Sequence, residues 1–400
     1  MHSIVLALLC AAMLSGQQSK LEQAWRLAAN GQRGEAIHVL QSLIVTEPRN
    51  TDARLLLGSL LMEEGDKPSS IAQLKTAVNQ RPRSEEAQNA LGEAYNKFGE
   101  TAAAKTAFEN AVAIKPDYGV GQLNLGQVLV MQGDLISAGK HLDRAIALLG
   151  QAEDAADAHY FRARIYSAQN RPRAAATQLE TAIRMRPGFA GAWSDLGQVR
   201  TQLLDDSGAL AAFEHAVATN PNDAVAQYRL GAEYLHQGKT RPAIDHLGQA
   251  YELNPSDQST LNALQMALRQ SGDLDKADRV KQQLAELLRD RDRNNQNKLK
   301  AVQINNDGSA LEKSGDLRGA LAKYRDAAQL DPSHAGIRMN YGVALLRMGK
   351  WSEGLDELHQ ALQLDPHNEQ IQAALKDAIS QAPDGTLPSW KDAEEQTPPR

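Results

Sequence analysis

In the stretch "NALGEAYNKFGETAAAKTAFENAVAIKP", residues 89 to 116, apolar positions recur at helical spacing. Leu91 and Tyr95 stand four apart, which places them on one face of a helix. Gly99 breaks that helix and begins a turn. Ala104, Phe108 and Ala111 then form the apolar face of a second helix, and Pro116 cannot continue it. Gly92 and Ala104 lack bulk, so the two helices can approach closely. One such hairpin cannot bury its apolar face alone, but stacked neighbours can bury each other's.

The same parts return every 34 residues, in units beginning at Gln17, Thr51, Glu85 and Gly119. After three extra residues the units resume at Ala156, Ala190, Ala224 and Gln258, and after nine more at Ala301 and Ala335. The eighth place holds Ala24, Gly58, Gly92, Gly126, Ala163, Gly197, Gly231, Gly308 and Gly342, with Gln265 breaking the column. The twentieth is always small, and the twenty-fourth is apolar in nine units, including Phe108, Phe213 and Tyr324. The thirty-second is Pro in eight units, from Pro48 to Pro366.

This pattern, from about residue 17 to about 368, closely resembles the tetratricopeptide repeat (TPR) family. The resemblance implies an all-α fold, a right-handed superhelical solenoid of about ten TPR helical hairpins with a concave inner surface. "EQIQAALKDAISQ" after Pro366 reads as a C-terminal capping helix. Members of the family usually bind peptides or proteins and are not catalysts. With that geometry the fifth place of each unit faces the hollow. There the chain has Leu55, Asn89, Leu123, Tyr160, Ser194 and Tyr228, with Gln127, Arg164 and Gln198 nearby on the same helices. Leu123, Gln127, Tyr160, Arg164, Ser194, Gln198 and Tyr228 are therefore the candidate partner-binding residues, with Tyr160 and Tyr228 as rigid aromatic anchors. The alternative is that each Tyr only packs against the neighbouring repeat. A clamp for a C-terminal carboxylate, another role in the family, needs Lys and Asn at these places, and the basic pattern is missing.

Three places depart from the repeat. Gly150 replaces the expected Pro, and "QAEDA" lengthens the connection. The next unit puts Arg162 where Leu is normally buried, which is costly unless the guanidinium is paired or reaches water; Phe161 is the alternative occupant of that core slot. From Leu274 to Asp307 there is neither Pro nor Gly, which predicts one helix running from unit eight into unit nine. The expected organisation is a signal peptide at 1–16, an eight-repeat module at 17–291, a helical extension at 292–300, a two-repeat module with its cap at 301–381 and a disordered tail at 382–400.

Composition sharpens this picture. With 42% hydrophobic but only 4% aromatic residues, the chain suits helices better than strands. A net charge of −6 argues against a nucleic-acid partner. Cys10 is the only cysteine, so neither an internal disulfide nor a cysteine metal site can form. The apolar run "IVLALLCAAML", residues 4 to 14, is shorter than the roughly 20 residues that span a bilayer. It has the length of a signal-peptide core and is followed by Ser15 and Gly16. It predicts a periplasmic or secreted chain that starts near Gln17 and carries no transmembrane segment; a cytoplasmic chain with an apolar N-terminal helix is the alternative.

No catalytic, cofactor or metal site is expected. In "GAEYLHQGKT" Gly231 and Gly238 are too far apart for a phosphate loop, and the repeat explains both. "DRDRNNQNK" lacks the Gly and closing Glu of a calcium loop. The histidines, including His141, His215, His246 and His359, show no metal-ligand spacing. Residues 281 to 300 hold six Lys or Arg against three Asp or Glu, which reads as the solvated face of a long helix. The leading functional expectation is an exported, non-catalytic scaffold for a protein or peptide partner. The alternative is an accessory subunit that recruits a separate catalytic or export component, such as polysaccharide, pilus or glycosyl-transfer machinery.

Overall fold

The computed structural model describes residues 19–366, 368–383 and 386, so the expected signal segment and most of the tail lie outside the described residues. Among the described residues there are twenty helices and no strand. The described residues fall into two compact units, divided between Asp273 and Leu274.

In the first unit helices pair in order. The hairpins are α1 (Lys20–Ala29) with α2 (Arg33–Thr46), α3 (Thr51–Glu64) with α4 (Lys67–Gln80), α5 (Glu85–Lys97) with α6 (Thr101–Ile114), and α7 (Gly119–Gln132) with α8 (Leu135–Leu149). Then come α9 (Ala155–Ala168) with α10 (Pro172–Met185), α11 (Ala190–Gln202) with α12 (Asp206–Thr219), and α13 (Ala224–His236) with α14 (Thr240–Leu253). Helix α15 (Gln258–Ser271) packs on α14 and α13. The second unit opens with α16 (Leu274–Lys313), a single helix of 40 residues, as the missing Pro and Gly predict. It pairs with α17 (Leu317–Leu330), and α18 (Ala335–Arg347) pairs with α19 (Trp351–Leu364). Helix α20 (Glu369–Gln381) caps that stack, burying Ile371, Leu375 and Ala378 on the side of Leu355 and Leu358. No helix among the described residues is long and apolar enough to cross a membrane.

Two local devices recur along the chain. Gly65 ends α3 at φ 83°, and the N–H groups of Gly65 and Asp66 donate to the carbonyls of Met62 (3.2 Å) and Leu61 (2.9 Å). Asp66 then caps α4, accepting from the Ser69 N–H at 3.1 Å. At the other end of the repeat, the fourth side chain of the incoming first helix donates to the carbonyl of the preceding Pro. Gln122 reaches Pro116 at 2.8 Å, Trp193 reaches Pro187 at 2.9 Å, Gln227 reaches Pro221 at 2.9 Å and Arg338 reaches Pro332 at 2.7 Å. A carbonyl left over where the helix stops is thus satisfied from the next repeat.

The eighth and twenty-fourth places meet inside every intact hairpin. A Cβ added at Gly92 would lie 2.6 Å from the Phe108 ring, and one at Gly197 would lie 2.5 Å from the Phe213 ring. The same pairing joins Gly126 to Leu142, Gly231 to Leu247 and Gly308 to Tyr324. The division between the two units falls inside the repeat that has Gln265 and exposed Lys281 at these places.

Phe161 takes the core slot of its repeat, and Arg162 leans out to pair with Asp143 at 2.7 Å with its side chain only 17% exposed. Neighbouring first helices of the first unit touch one another, while its second helices stay further apart. The layer of first helices is therefore the tighter, inner arc of that unit. One place in the layer is looser: α9 and α11 approach less closely than the other first-helix neighbours of the unit.

The turn between α11 and α12 carries strain. Seven other hairpin turns place Gly in the left-handed region and one places Asn170 there, but here Leu204 sits at φ 59° and is 87% exposed. An L side chain in that region is disfavoured, and glycine is not. Leu204→Gly is expected to stabilise the first unit by about 1 kcal/mol, read as a higher melting temperature in calorimetry. A lower melting temperature contradicts this account of the turn.

Candidate functional site

The gap between α9 and α11 holds a cavity of about 360 Å³. Tyr160, Arg164 and Ser167 line it from α9, where a four-then-three spacing puts them on one helix face. Asp195, Gln198, Val199 and Gln202 line it from α11 with the complementary spacing, and Arg229 reaches in from α13. Aromatic bulk accompanies the opening. The Tyr160 ring meets Phe161 edge-on at 5.3 Å and Phe189 at 4.8 Å, and it packs against both of the core clusters that flank it. The Arg186 guanidinium stands over the Phe189 ring, 4.3 Å from its centroid, and also pairs with Asp157 at 2.5 Å.

The polar groups of the cavity are ordered by a rule that spans neighbouring repeats. The fifth place of one unit meets the sixth place of the next, 35 residues on. Arg229 donates to the Ser194 hydroxyl at 2.8 Å and to the Asp195 carboxylate at 3.1 Å. The Asp195 carboxylate stands 35 residues on from Tyr160, in the same register, and its charge helps to raise the Tyr160 phenol. Earlier in the stack Asn124 donates to Asn89 at 2.9 Å, and both amides donate to Glu93, whose carboxyl is raised above its ordinary range by burial. In the second unit Asn340 donates to Asn305 at 2.9 Å.

Three of the seven residues singled out from the sequence, Tyr160, Arg164 and Gln198, come together in the cavity. Arg164 and Gln198 are exposed. Ser194 is buried and serves as an acceptor for Arg229. Leu123 is only 6% exposed and lies in a core cluster with Phe108, Leu142 and Phe161. Gln127 and Tyr228 are half-buried on α7 and α13 and do not line the cavity. The column reading missed Asp195 and Arg229, which stand one place beyond the fifth. The signal for them is the recurrence of polar pairs 35, not 34, residues apart.

Charge within the cavity is uneven. Asp195 is taken by Arg229, whereas Arg164 has no carboxylate partner among the described residues; its guanidinium stands 6.0 Å from the Phe161 ring centroid. Elsewhere, Asp206, Glu233 and His236 each offer one ligand atom, all within 4.8 Å of one another, and could hold a metal ion. Glu233 there is 4% exposed and already accepts from Gln237 at 2.9 Å and Thr201 at 3.5 Å.

Four tetratricopeptide repeat family profiles match the chain, over residues 27–94 and 311–379, 119–187, 160–224, and 85–118. The chain belongs to the tetratricopeptide repeat family. It is 25% identical over 195 residues to the anaphase-promoting complex subunit CDC16 of Saccharomyces cerevisiae, covering 48% of this chain and 23% of that protein. It is 25% identical over 214 residues to the peroxisomal targeting signal receptor of Eremothecium gossypii, covering 48% of this chain and 38% of the receptor. The chain thus spans less than two fifths of the length of either relative. A solved tetratricopeptide repeat protein from Parabacteroides merdae superimposes with a TM-score of 0.49 at 14% identity, over 62% of this chain and 97% of that one.

Burial, followed by the charge of Asp195, pushes the Tyr160 phenol up to about 12. In the unfolded chain a tyrosine releases its proton near pH 10. Between these values the folded chain binds more protons than the unfolded one, so stability is lost as pH rises through that window. Subtracting the phenolate absorbance titration of Tyr160→Phe from that of the parent should give a single step near pH 12. A step near the ordinary value of about 10 would show Tyr160 to be solvated.

Proposed function

We propose that this chain is a non-catalytic scaffold that holds a partner polypeptide along the inner layer of first helices, with the gap between α9 and α11 as the principal contact. The observation that carries this reading is the cavity itself. It combines a rigid aromatic wall, exposed hydrogen-bonding side chains and an unmatched guanidinium at the place where the inner layer opens. Interfaces draw their energy from such anchored aromatics and arginines within partly dry pockets. Of the two curated relatives, one is a subunit of a complex and the other a receptor for a targeting signal, and a polypeptide-holding surface suits both descriptions. The scaffold is proposed to work outside the cytoplasm, a reading that rests on the apolar run at residues 4 to 14.

The test is affinity capture with the full chain, followed by binding measurements on the partner it retains. Arg164→Ala and Gln198→Ala should each weaken binding by about 1–2 kcal/mol, the usual scale for a central interface residue. The melting temperature should stay put, because both side chains are exposed. Tyr160→Ala should lower the melting temperature as well, because the ring packs on two core clusters. Unchanged binding in a folded Arg164→Ala/Gln198→Ala double variant removes the cavity from the interface.

A further inference from the structure

The charges in the cavity select among partner segments, and this step rests on the reading that the cavity is the interface. We propose that the segment seated between α9 and α11 presents an internal acidic side chain, Asp or Glu, to Arg164. Two arginines enter the cavity and they are not equivalent. Arg229 is spent within the fold: it holds Asp195 at 3.1 Å and Ser194 at 2.8 Å. With Arg229 paired to it, Asp195 is not left as a charged receptor either. Arg164 is exposed, stands beside an aromatic ring and has no carboxylate among the described residues. Its planar fork matches a carboxylate with two parallel hydrogen bonds. A basic or purely apolar residue at this point would leave the guanidinium unmatched at the contact.

The remaining lining favours an internal acidic residue over a chain end. Ser167 on α9 and Gln198 and Gln202 on α11 set neutral hydrogen-bonding groups on both walls. Amide side chains can pair with the N–H and C=O of a passing main chain. A segment that runs through the gap uses both walls, with its acidic side chain turned to Arg164; a segment that ends there leaves part of them unpaired.

The experiment is selection of random twelve-residue peptides on the full chain, with one library amidated at the C-terminus and one with free C-termini. The amidated library should yield binders with Asp or Glu enriched at one position. Arg164→Gln should weaken the best of them roughly tenfold and erase the salt dependence of its binding. Arg164→Glu should shift the enrichment at that position to Lys or Arg. Binders that depend on Gln198 but show no acidic preference, or whose preference survives Arg164→Glu, overturn the acidic anchor and leave the interface standing. Enrichment confined to free C-termini overturns the internal placement. A failure of both libraries to yield any peptide sensitive to Gln198→Ala overturns the anchor together with the interface reading.

Discussion

The close approach of two helices at the eighth place of each repeat governs the rest of the structure. At Gly92 and Gly197 no Cβ fits, because the Phe108 and Phe213 rings occupy that space. A ring or a leucine from the second helix therefore fills the place a side chain would take on the first. This contact fixes the hairpin, and the hairpin fixes which residues lie inward, which turn and which face the neighbouring repeat. Ser70 extends the same logic: its buried hydroxyl donates to the Gly58 carbonyl at 2.8 Å across the approach. The repeat whose sequence has Gln265 and Lys281 at these two places is the one within which the chain divides into two units.

The candidate site follows from a change of bulk within this regular frame. Leu123 and Ser194 at the fifth place sink into the core or into hydrogen bonds between repeats. Tyr160 is too large for that and stands between two core clusters, with Phe189 beside it and Arg186 over the Phe189 ring. The opened gap admits side chains from three consecutive first helices. Aromatic packing and interface chemistry are thus the same feature in Tyr160, which is why its removal is expected to disturb both stability and binding.

Much of the fold was legible in the sequence because the constraint at each repeat is local and periodic. Small residues at the eighth and twentieth places, Gly at the turns and Pro at the repeat ends identify the hairpins before any coordinates. The long α16 follows from an absence of breakers, and the displacement of Arg162 by Phe161 follows from the cost of burying a guanidinium. The cavity was legible only in part. Tyr160, Arg164 and Gln198 stand out by type and place, but Asp195 and Arg229 act through partners in a neighbouring repeat, 34 or 35 residues away, and a column-by-column reading does not join them. Nor does a residue's place in the repeat state its depth: Leu123 and Tyr160 share the fifth place, yet Leu123 is core and Tyr160 is cavity wall.

The central claim is that a partner lies in the gap between α9 and α11, on the inner layer. The most direct measurement is photo-crosslinking from the full chain bound to its captured partner, with a photoreactive residue at Gln198 on the first-helix layer or at exposed Thr177 on α10. The account predicts partner adducts from position 198 and none from position 177. Adducts from 177 with none from 198 would place the partner on the layer of second helices and contradict it.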